Sequence, residues 1–100
     1  MPRPRKCCQV DFLPGTTYFK PARIPMSELE ENHLTVEELE SVRLRDIEDL
    51  DQEKCAAKMN VSRATFQRVL ASARKKIADA LLNGKAIRIS GGNFKTRAPN

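Results

Sequence analysis

The sequence predicts a mainly α domain, with a three-helix core and a small β-ribbon made from its two ends. Three observations predict it. Apolar residues recur at helical spacing through residues 36–50, 55–59 and 66–81, as in helices that bury one face. Capping and turn residues punctuate those stretches at Thr35, Asp51, Asn60-Val61-Ser62 and Asn83-Gly84. Apolar and polar residues alternate only in short runs, at Cys8-Gln9-Val10-Asp11-Phe12 and Ala86-Ile87-Arg88-Ile89.

The chain is 100 residues long, which suits a single domain with a small core. Its 40% hydrophobic and 5% aromatic residues can fill a helical core but not a large sheet sandwich. No apolar run approaches the roughly 20 residues a membrane span requires, and the charged opening Met1-Pro2-Arg3-Pro4-Arg5-Lys6 lacks the apolar stretch of a secretory signal. The expected location is the cytoplasm. Three cysteines cannot make a full disulfide framework, and free thiols are the expectation.

Charge is segregated. The net charge is +5, but residues 28–53 hold eleven Asp/Glu against two Arg, whereas residues 54–100 hold eleven Lys/Arg against one Asp. A block of that positive density makes nucleic acid the first partner to consider.

Residues 1–33 read as a basic, Pro-rich arm with a short strand at 8–12. Thr17-Tyr18-Phe19 is a second extended piece, and Ser27 with Glu30 suits one capped helical turn. Residues 34–83 form the helical domain. Its first helix starts at Thr35, whose capping box with Glu38 is flanked by the staple pair Leu34 and Leu39. It continues with Val36, Leu39, Val42, Leu44, Ile47 and Leu50 facing the core. Arg43 falls inside that arc, so its stem should lie on the core and its guanidinium meet a carboxylate. A second helix spans 52–59 with Asp51 as N-cap and Cys55, Ala56 and Met59 as its stripe. Asn60 suits a left-handed turn residue, Val61 plugs the turn, and Ser62 caps the third helix. That helix spans 62–82 on Phe66, Val69, Leu70, Ala73, Ile77, Ala80 and Leu81. In residues 84–100, a strand at 86–89 should pair with the strand at 8–12, and 93–100 should be a loose tail.

Residues 52–70 thus meet the steric demands of a helix-turn-helix. Ala56 is small at the helix crossing, Asn60 makes the turn, and the start of the second helix stays polar. That end of such a motif enters the major groove.

Residues 34–82 resemble region four of bacterial sigma factors and related helix-turn-helix regulators. The matching pieces are Leu34-Thr35 with Glu38, Val42-Arg43-Leu44-Arg45, Val61-Ser62-Arg63-Ala64-Thr65 and Ala73-Arg74-Lys75-Lys76-Ile77. The whole chain also resembles a family of small, uncharacterised prokaryotic proteins predicted to bind DNA. That likeness rests on Pro2-Arg3-Pro4-Arg5-Lys6-Cys7, Tyr18-Phe19-Lys20-Pro21, Ile24-Pro25 and Gly84-Lys85-Ala86-Ile87-Arg88-Ile89. Where that family often carries a second cysteine a few residues on, this chain has Cys8 and Asp11.

The resemblance implies base contacts from Arg63, Ala64, Gln67 and Arg68. The chemistry suits, since Arg can bind guanine and Gln adenine through two hydrogen bonds each, while Ala offers a methyl group. Ser62, Thr65, Lys75 and Lys76 are expected on the DNA backbone. Arg3, Arg5 and Lys6 form a candidate minor-groove arm. The expected function is sequence-specific binding of double-stranded DNA, as a transcriptional regulator and as a homodimer. Two alternatives remain open. One is a protein-interaction module whose acidic first helix docks RNA polymerase or another transcription protein. The other is a thiol- or metal-responsive sensor using Cys7 and Cys8. No cofactor is expected. No catalytic arrangement and no phosphate-cradling loop is present in the pattern, so an enzyme is not expected.

Overall fold

A computed structural model describes residues 8–96; Arg3, Arg5, Lys6 and Cys7, named above as candidates, lie outside them. The described residues form a mixed α/β domain in which three α-helices pack with two small sheets. Its elements are β1 (Cys8–Val10), β2 (Tyr18–Phe19), β3 (Glu31–Leu34), α1 (Val36–Val42), α2 (Gln52–Met59), α3 (Arg63–Asn83), β4 (Ala86–Ile89) and β5 (Phe94–Thr96).

The helix starts follow the capping residues. The Glu38 N–H donates to Thr35 Oγ1 at 3.2 Å, and the Thr35 N–H donates to Glu38 Oε1 at 2.9 Å. Asp51 Oδ1 accepts from the Lys54 N–H at 2.8 Å, and Ser62 Oγ from the Thr65 N–H at 3.1 Å. Asn60 ends α2 in the left-handed conformation at φ 58° and ψ 44°. Gly84 does the same for α3 at φ 66° and ψ 39°, a geometry glycine adopts without steric cost.

The first helix is shorter than its sequence pattern. The α-helical stretch stops at Val42 and continues as a π-helical turn, Arg43–Ile47, in which the Glu48 N–H reaches back to the Arg43 carbonyl. The wider turn changes which residues face inward. Leu44 is buried, but Ile47, expected in the core, is 75% exposed. Arg43 behaves as its position demands: Nε and Nη2 donate to the two oxygens of Glu40 at 2.8 and 2.9 Å.

The strands differ from expectation in their pairing. β1 pairs in parallel with β5, so 94–96 is a strand rather than loose tail, with Cys8 opposite Phe94. β4 is the centre of the other sheet, antiparallel to β2 and parallel to β3. Both of its edges are therefore hydrogen-bonded, and β1 has no edge of β4 to join. The stretch near Ser27 is a single 3-10 turn, Met26–Glu28, that begins at Pro25 without a side-chain cap.

The core has two parts joined by α3. One contains Cys8, Leu44, Cys55, Ala56, Met59, Phe66 and Leu70. The other contains Val10, Leu34, Val36, Ala73 and Ile89. Phe66, Leu70 and Ala73 sit at helical spacing, so a single face of α3 serves both. The stripe ends at the buried Ala80; Leu81, expected to continue it, is 77% exposed.

Candidate nucleic-acid interface

The turn Asn60-Val61-Ser62 carries the chain from α2 into α3, with Cys55, Ala56 and Met59 buried against Phe66 and Leu70. Burying that face of α3 leaves the opposite face of its first turns in solvent. Arg63, Ala64, Gln67 and Arg68 are all exposed there. Four candidate base-contacting residues thus share one open surface at the start of a helix 21 residues long.

Their polar groups are organised. Gln67 Nε2 donates to Gln52 Oε1 at 2.6 Å, and Arg63 Nε donates to the same oxygen at 3.4 Å. On the neighbouring edge, Thr65 Oγ1 accepts from Ser62 Oγ at 3.0 Å and from Arg68 Nη2 at 3.3 Å. Ser62 therefore divides its hydroxyl between capping α3 and Thr65. Gln52, at the first position of α2, was not among the sequence candidates. It lies eleven residues before Arg63 and fifteen before Gln67, and only the turn brings it to them.

The two lysines expected on phosphates part company. Lys75 is exposed. Lys76 is turned toward α1, where Nζ donates to Glu38 Oε1 at 2.8 Å and to the His33 carbonyl at 2.9 Å. Adjacent helical residues point about 100° apart, which separates them. Lys76 therefore ties α3 to α1 through Glu38. Arg74 pairs with Asp46.

An open groove of about 690 Å³ runs beside this surface, bounded by Ser62, Thr65 and Arg68 on one side and by Thr35, Glu37 and Asn93 on the other. Glu37 Oε2 accepts from the Asn93 N–H at 3.1 Å. A side chain on Gly92, which has φ +102°, would collide with Glu37 and with Thr35 Cβ.

The acidic block is not one solvated face. Glu38 and Glu40 are buried. Burial acts to raise the Glu38 pKa, but hydrogen bonds from Lys76, Ser72 and the Thr35 backbone together hold it below the ordinary carboxylate value. Asp79, next to α3's end, is held at about 2 by Lys85, with Asn32 and Asn83 also donating. Cys8 is buried in the core, as is Cys55, whose thiol is pushed up by burial. Among the described residues no group of three or more His, Cys, Asp or Glu is placed to hold a metal ion. No helix among them is long and apolar enough to cross a membrane.

Residues 1–97 match the family described as "Protein of unknown function DUF134". The chain belongs to this family. A UPF0251 protein of Pelotomaculum thermopropionicum is 64% identical over 95% of the chain and 72% of its own length. Similar UPF0251 proteins come from Moorella thermoacetica, 63% identical over 99% of the chain and 66% of the relative, and Thermoanaerobacter pseudethanolicus, 60% identical over 95% and 80%. The chain thus spans about two thirds to four fifths of the length of these relatives. No solved structure matches it.

Proposed function

We propose that this protein binds double-stranded DNA in a sequence-specific manner and acts as a transcriptional regulator, with the first turns of α3 in the major groove. One observation carries the reading: Arg63, Ala64, Gln67 and Arg68 stand exposed on one face while the other face of the same helix is locked into the core. An α-helix presented in this way fits the width of the B-DNA major groove. Its polar groups match base edges: guanidinium for guanine, amide for adenine, methyl for thymine. Lys75 and the N-terminus of α3 supply phosphate contacts. The motif resembles sigma region four, and a second copy on a two-fold related half-site raises affinity.

The test is selection of bound duplexes from a random pool, followed by affinity measurement across salt concentrations. The expected result is an enriched motif, palindromic for a dimer, with log affinity falling against log salt by about 0.9 per phosphate neutralised. Absence of an enriched motif, with salt-independent association, rejects the reading.

A further inference from the structure

We infer that Gln52 positions the groove-reading side chains: its carbonyl oxygen sets the orientation of both Gln67 and Arg63 before DNA arrives. The inference rests on the DNA-binding reading and assigns within it a residue that touches no base.

A glutamine amide can present itself in two orientations that exchange its acceptor and donor ends, and only one matches a given base edge. Gln67 Nε2 donates to Gln52 Oε1 at 2.6 Å. That bond uses one of the two amide N–H groups and leaves the other, together with Oε1, for a base. Adenine presents the complementary pair, an amino donor and the N7 acceptor. Reversing the Gln67 amide would set two carbonyl oxygens against each other, so the adenine-reading orientation is the one favoured. Arg63 shares the same anchor. Its Nε–H donates to Gln52 Oε1 at 3.4 Å, which leaves both terminal nitrogens for the O6 and N7 of guanine.

The anchor is itself well placed. Gln52 is the first residue of α2, behind the Asp51 cap, whose side chain binds the Lys54 N–H at 2.8 Å. It therefore stands on a helix whose packing against α3 is fixed by Cys55, Ala56 and Met59. Binding then begins with two long side chains already ordered, which lowers the entropy cost of ordering them on DNA.

The role uses only the acceptor oxygen of Gln52, and this separates two variants. Gln52→Ala removes it. Gln52→Glu keeps it and strengthens its hold on Arg63. Wild-type and both variants are carried through the same random-duplex selection, with thermal melting to verify folding. Gln52→Ala is expected to lose about tenfold of its preference at the base pairs read by Gln67 and Arg63, within the discrimination of a single paired contact. Gln52→Glu is expected to retain the wild-type order of base preference, even where its charge weakens binding to every duplex. Without DNA, Gln52→Ala should shift the side-chain amide NMR signals of Gln67. An unchanged base preference or unchanged Gln67 signals in Gln52→Ala overturns the inference while leaving the DNA-binding reading intact. Equal loss of preference in both variants also overturns it. A wild-type protein that enriches no motif overturns the two together.

Discussion

Arg63 and Lys75 lie on the same helix, yet the chemistry asks different things of them. Arg63 and Arg68 stand at the end offered to the groove and carry planar, forked donors; Lys75 carries a point charge. Arg63→Ala and Arg68→Ala should each lose about 1–3 kcal/mol of preference for the selected site over a mismatched one. Lys75→Ala should weaken binding to all duplexes alike and reduce the salt slope by about 1. Competition binding on matched and scrambled duplexes separates the two effects. Full retention of the matched site by both Arg variants would remove α3 as the reading helix. Asn60 works on the fold instead. At φ 58° it occupies the left-handed region, so Asn60→Ala should destabilise by about 1 kcal/mol. Asn60→Gly should be close to neutral, and chemical denaturation measures both. Asn60 was legible from residue type alone, because turn chemistry acts over three or four neighbours, whereas Arg63 and Arg68 were nominated through the resemblance to sigma region four. Gln52 was not legible, because its partners are brought to it by the turn.

Among the elements, α1 and α3 are tied through Glu38. Its carboxylate accepts from Lys76, from Ser72 and from the Thr35 backbone. These hydrogen bonds hold its pKa below the ordinary value of 4.5. A carboxyl depressed on folding contributes stability that is fully present above its unfolded pKa and is lost as pH falls through its folded one. Thermal stability should therefore decline on acidification below pH 4.5, the ordinary glutamate value, and Glu38→Gln should flatten that decline while melting lower near neutral pH. A Glu38→Gln protein with the wild-type acid profile would remove Glu38 from this role. Half of the tie was visible beforehand, since Thr35 and Glu38 form a local capping box. The other half, Ser72 and Lys76, lies more than thirty residues away. The π-helical turn at Arg43–Ile47 was also hidden. An apolar pattern read at α-helical spacing carries no mark of the extra residue that rotates Ile47 into solvent.

For the molecule as a whole, α3 is the shared spine, with Phe66 and Leu70 in one part of the core and Ala73 in the other. Phe66 is fully buried, so Phe66→Ala should cost about 3–5 kcal/mol. Because one helix spans both parts, unfolding should remain a single transition, with circular dichroism and near-ultraviolet probes coinciding. Two separated transitions would show that the parts fold independently. The starts and caps of the three α-helices, the inter-helix turn and the buried stripe of α2 were all written in local patterns of residue type, since helical hydrogen bonds close within four residues. Strand partners were not. The alternation in 8–12 and 86–89 marks extended chain, but hydrogen bonds between distant strands depend on which edges the packed helices leave open. Here β2 and β3 occupy both edges of β4, and β5 takes β1. Likewise, the resemblance to sigma region four nominated Arg63, Gln67 and Arg68, whereas the turn of Lys76 toward Glu38 and the meeting of Gln52 with Gln67 came from packing one helix across another.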